Sequence, residues 1–148
     1  QPGCGEALSR IAVEVAKSTD CEIIYRLHPN ERTNWKSIYP WLKSQNVRID
    51  SGDRALYEVM SGCWAQVGTE STALYEGLEF NLETFIFDKF DSQTHPWYDI
   101  DEISVFSDAD QLSSSLKEDS QLTVNSDRFF RSNSIENVQR EVGEIISN

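Results

Sequence analysis

Residues 67–88, VGTESTALYEGLEFNLETFIFD, constrain this chain most, because they pass from a strand end through a hydroxyl-rich turn into a helix and back into a strand. Residues 64–68 read as a short strand closed by Gly68, and Thr69, Glu70, Ser71 and Thr72 crowd the place where a helix cap belongs. Ala73, Leu74, Gly77 and Leu78 recur at helical spacing, with glycine allowing close approach to a sheet. Residues 83–88, ETFIFD, are β-rich and apolar in the middle, as a buried parallel strand should be. The unit is β-α-β. It places Ser71 and Thr72 at a helix N-terminus, where unpaired backbone N–H groups and the helix dipole favour an anion. Glu76 lies one turn deeper, where a carboxylate could accept hydrogen bonds from sugar hydroxyls. The plainer reading makes Ser71 and Thr72 ordinary caps and Glu76 a solvated charge.

A chain of 148 residues is about one domain and can bury a core without disulfide staples. Cys4, Cys21 and Cys63 show neither CxxC nor Cys/His metal spacing, so they read as reduced thiols. The net charge of -12, from 25 acidic and 13 basic residues, repels a nucleic-acid backbone, and no nucleic-acid partner is expected. No stretch approaches a membrane span and no signal peptide opens the chain, which predicts a cytoplasmic protein.

The strands expected are 22–27, 47–49, 64–68, 83–88 and 103–106, alternating with helices, a pattern of parallel α/β sheets. Leu8, Ile11, Ala12, Val15 and Ala16 predict the first helix; Trp35, Ile38, Tyr39 and Leu42 a short one interrupted by Pro40. Leu56, Val59 and Met60 give a helix over 53–61, and Asp108 caps one running to Leu116. Residues 128–148 are expected to form a helical tail, with Ile135, Val138, Val142 and Ile145 on one face. The loop after Asp88 carries His95-Pro96 with Phe90, Trp97 and Tyr98; it reads as a turn packed on the domain or shaping a pocket rim.

His28-Pro29 ends the strand CEIIYRL, so His28 sits at a strand's carboxyl end, the edge where open α/β sheets bind ligands. A loop histidine satisfied by backbone is the plainer alternative. Gly3 and Gly5 form a glycine-bearing entry to the first helix, as after the first strand of a nucleotide-binding fold, yet no strand precedes them. The expected architecture is therefore a Rossmann-like three-layer α/β domain with a mainly parallel sheet, lacking its first strand. The resulting gap between the strands ending at His28 and Gly68 must be closed by direct pairing, by another segment, or by a second chain acting through the exposed edge.

YRLHPNE at 25–31 and GTESTALYEGLEFN at 68–81, taken together, resemble the C-terminal, donor-nucleotide-binding domain of GT-B type glycosyltransferases. Within that class the likeness is to bacterial capsular-polysaccharide and sialyltransferase-like enzymes and to CDP-glycerol glycerophosphotransferases. The resemblance spans residues 1–116. It implies that His28 contacts the donor phosphate and supports departure of the leaving group. It implies too that Pro29, Ser71, Thr72, Gly3 and Gly5 line the phosphate site and that Glu76 lies near the ribose or sugar. The donor would be a CMP-, CDP- or UDP-linked sugar or alcohol, with no obligatory metal or cofactor, although Asp99-Ile100-Asp101 has a metal-like spacing. An N-terminal acceptor domain would be the missing partner, and the location the cytoplasm or the inner face of the bacterial membrane. A nucleotide-sugar epimerase-like domain is a rival, but only one glycine stands in Gly68-Thr69-Glu70-Ser71. The other rival is a non-catalytic protein-interaction module built on Trp97 and the terminal helix.

Overall fold

The computed structural model describes residues 4–43, 46–69, 71–88, 100 and 102–117. Gly3, Glu70, the His95 loop, both aspartates of the 99–101 tripeptide and the 128–148 tail lie outside the described residues.

Helices and parallel strands alternate. Helix α1 (Cys4–Ser18) leads to strand β1 (Ile23–Arg26), a 3-10 turn (Pro29–Glu31), α2 (Trp35–Ile38) and a second 3-10 turn (Pro40–Lys43). Then come β2 (Val47–Asp50), α3 (Leu56–Met60), β3 (Ala65–Gly68), α4 (Thr72–Glu79), β4 (Glu83–Phe87), β5 (Ile103–Phe106) and α5 (Ala109–Ser115). Pro40 has no N–H to give, which is why the expected helical face over 35–42 divides into one α turn and one 3-10 turn.

The strands form two small parallel sheets rather than one: β1 pairs with β2, and β3, β4 and β5 pair in that order. Among the described residues β1 and β3 do not pair with each other. Burial follows. All five residues of the central strand β4 are buried, whereas all four of β1 are only half-buried and Val67 of β3 is exposed.

Helix α1 holds the two sheets together because it is apolar on two sides. Ile11 and Val15 pack with Phe85, Phe87 and Phe106 of the larger sheet and with Ala109 and Leu112 of α5. Val13 and Ala16 pack with Tyr39, Leu42 and Val47 on the smaller one. Ile23 of β1 borders both clusters. The period-2 alternation of β4 sends Phe85 and Phe87 towards α1 and α5, while Ile86 joins Leu74 and Leu78 of α4 on the opposite face. Around the larger sheet the result is helix–sheet–helix.

Candidate functional site

The turn after β1 is built by local capping chemistry. His28 is extended (φ -60°, ψ 144°), as the residue before a proline should be. Its Nδ1 accepts from the Asn30 N–H at 3.3 Å, and Glu31 Oε2 accepts from the His28 N–H at 3.0 Å. This reciprocal pair is a capping box with histidine in the place usually taken by serine or threonine. With Nδ1 as acceptor, the proton of the neutral imidazole resides on Nε2. The ring is exposed, and Nε2 has no hydrogen-bond partner among the described residues. A donor is thus held at the carboxyl end of a parallel strand.

Glu31 works in two directions. Its Oε1 accepts from the Tyr39 hydroxyl at 2.6 Å, while the Tyr25 hydroxyl donates to the Gly5 carbonyl at 3.1 Å. A Cβ at Gly5 would come 2.7 Å from Tyr39 Oη and 3.2 Å from Glu31 Oε1. Only glycine lets the first turn of α1 lie so close. The structure therefore brings Gly5 to the His28 turn, with Glu31 and Tyr39 as the joint. Neither Glu31 nor Tyr39 stood out in the sequence as a site residue. The spacing of Glu31 three positions after His28 was the available signal, since it is the capping-box spacing.

This joint predicts a pH dependence. Burial, the hydrogen bond to Glu31 and the Glu31 charge push the Tyr39 phenol up to about 12, and burial chiefly pushes Tyr25 above the ordinary tyrosine range as well. A phenol whose pKa is raised on folding stabilises the fold fully below the unfolded value near 10, and that contribution is lost as pH rises towards the folded value. Urea unfolding from pH 9 to 12 should show a decline of about 2 kcal/mol attributable to Tyr39. Tyr39→Phe should flatten the decline; an unchanged slope in that variant would contradict the assignment.

The second expected cluster follows β3. Ser71 is extended (φ -156°, ψ 139°), and its Oγ accepts from the Ala73 N–H at 3.2 Å, capping α4. Gly68 closes β3 beneath Leu74, whose Cδ2 would lie 3.0 Å from a Cβ there. Thr72 opens the helix and is exposed. Glu76 is half-buried and hydrogen-bonded by the Tyr57 hydroxyl, and this bond with the Glu76 charge raises the Tyr57 phenol. Tyr57 in turn stacks on Phe80 with centroids 5.7 Å apart. The Glu76 carboxylate thus has a protein partner.

Among the described residues no hydrogen bond or ion pair joins His28 and Pro29 to Ser71, Thr72 or Glu76. The two groups follow different strands of different sheets, each at a carboxyl end. A shallow cleft lined by Ser18, Thr19, Cys21 and Leu116 opens at the other, amino-terminal end of β1. No three His, Cys, Asp or Glu side chains among the described residues are grouped to hold a metal ion. No helix among them is long and apolar enough to cross a membrane. In comparisons with known proteins, the chain matches no family model, no curated protein and no solved structure.

Proposed function

We propose that this chain is the donor-nucleotide-binding half of a bacterial surface-polysaccharide glycosyltransferase or a related glycerophosphotransferase. The observation that carries the reading is the His28 turn. A capping box consumes Nδ1 and leaves Nε2–H as a donor with no partner among the described residues, at the carboxyl end of a parallel strand, with the Gly5 entry of α1 packed against the same turn.

The chemistry required of such a site is modest. The nucleotide leaves as an anion, so the need is for donors aimed at the phosphate oxygens where charge develops. His28 Nε2–H supplies one, and its imidazole can pass a proton to the leaving group. The Ser71 and Thr72 hydroxyls, at the positive end of the α4 dipole, supply others. A Ser71 Oγ that accepts from Ala73 keeps its own proton for a ligand. Catalysis in this reading also needs an acceptor-binding domain facing the same edge, and the edges of β1 and β3, which pair with no further strand among the described residues, offer a place for additional strand pairing.

Titration with CMP, CDP and UDP tests the reading directly. Saturable binding is expected, weakened by about 1–3 kcal/mol in His28→Ala and in Ser71→Ala, the range for a lost hydrogen bond to a charged group. Binding indifferent to both substitutions would reduce these residues to caps of their turns.

A further inference from the structure

Sequence separation hides a group of arginines that the register of β1 and β2 assembles. Arg26 ends β1 opposite Asp50, which ends β2. Its guanidinium donates to Asp50 Oδ2 at 2.5 Å and, through both terminal nitrogens, to the Arg54 carbonyl at 3.2 Å. The other carboxylate oxygen of Asp50 accepts from the Gly52 N–H at 2.9 Å. Burial pushes the Asp50 carboxyl up, but the Gly52 bond, the Arg26 bond and the Arg26 and Arg54 charges outweigh it and hold the group below its ordinary value. Asp50 is 7% exposed and both of its oxygens are engaged. Arg26 and Asp50 therefore neutralise one another and shape the turn.

Two further arginines border that turn without partners of their own among the described residues. Arg32, just past the His28 turn, lays its guanidinium over Gly52. A Cβ at position 52 would fall 2.5 Å from Arg32 Cζ, and Gly52 has a φ of +84° that side chains rarely adopt. The Arg54 charge acts on both Asp50 and Cys63. Both arginines are exposed, and neither guanidinium forms a hydrogen bond or ion pair among the described residues. In a chain with 25 acidic and 13 basic residues, two guanidiniums beside one turn with no acidic partner among the described residues depart from the prevailing charge. The one exposed acid on the same turn is Asp53.

We propose that Arg32 and Arg54 form an anion site for a phosphate group at the carboxyl ends of β1 and β2. Guanidinium forks match phosphate oxygens in geometry and charge, and Asp50 cannot compete because Arg26 and Gly52 already occupy it. The site is independent of Ser71 and of the donor reading above; it would hold the phosphate of a nucleotide or of free pyrophosphate equally well.

Calorimetric titration of the full chain with inorganic pyrophosphate and with CDP, at low salt, tests it. Binding of pyrophosphate is expected, roughly tenfold weaker in Arg32→Gln and in Arg54→Gln, and weaker as salt rises. Asp53→Asn should bind more tightly, and Arg48→Gln, whose guanidinium is already paired with Glu22, should bind pyrophosphate as the native chain does. Equal affinity for the two ligands would mark a site for phosphate alone, and tighter CDP a nucleotide site. Circular dichroism confirms that each variant is folded. No pyrophosphate binding by the native chain, or binding unchanged in the folded double variant Arg32→Gln/Arg54→Gln, overturns the proposal. Loss of pyrophosphate binding in Arg48→Gln alone would also overturn it.

Discussion

Replacing Leu78 with alanine is expected to cost about 3–5 kcal/mol of folding stability, the upper part of the range for a buried leucine. Leu78 has no exposed surface, and it joins Leu74 of its own helix to Ile86 of β4 and Ile103 of β5. The walls of the resulting cavity are parts of a hydrogen-bonded sheet and a packed helix, which can relax little to fill it. A domain of this size has about 5–15 kcal/mol in total, so the substitution removes a large share. The urea midpoint should fall while the slope of the transition stays constant. Val67→Ala on the adjoining strand, where the side chain is 42% exposed, should change stability by no more than about 0.5 kcal/mol. A Leu78→Ala loss as small as that of Val67→Ala would mean that α4 is not anchored on the sheet as described.

The neighbouring residue predicts a loss of opposite origin. Alanine for glycine inside a helix ordinarily gains about 1 kcal/mol from helix propensity. At Gly77 the space for a methyl group is already taken by the Gln66 carboxamide of β3. Gln66 Nε2 donates to the Leu74 carbonyl at 2.6 Å and to Thr84 Oγ1 at 2.7 Å, tying α4 to β3 and β4. A Cβ at position 77 evicts that amide. Two half-buried hydrogen bonds at about 1 kcal/mol each and an overpacking cost of about 1–3 kcal/mol outweigh the propensity gain. Gly77→Ala should therefore destabilise by about 2–4 kcal/mol. Adding Gln66→Ala should recover part of the loss, because the clash goes with the amide. A Gly77→Ala chain more stable than the native one would show that Gln66 can turn away at little cost.

Much of the fold is readable from short-range pattern. All five strands lie where β-rich, apolar stretches predict them, and α1, α4 and α5 follow their apolar spacing. The caps at Ser71 and Asp108 are readable for the same reason: each bonds an N–H two or three residues ahead, so a few neighbouring residues contain the whole interaction. The helix expected over 53–61 is shorter, Leu56–Met60, because residues 50–54 are drawn into the turn that Asp50 and Arg26 organise. That turn depends on β1 lying beside β2, with Arg26 opposite Asp50, and no local pattern reports a register.

By itself, then, the sequence determined the type and order of the elements and the positions of His28 and Ser71 at strand ends. Those properties depend on periodicity and capping within a few residues. Tertiary structure alone decided that the strands divide into two sheets bridged by α1 and that Gly5 meets Glu31 and Tyr39. It also decided that Glu76 pairs with Tyr57, that Gln66 fills the space at Gly77, and that Arg32 and Arg54 border one turn. Each of these is a contact between segments separated along the chain. Such contacts are selected by the summed packing of whole elements, in which many small terms compete, rather than by the preference of any one residue.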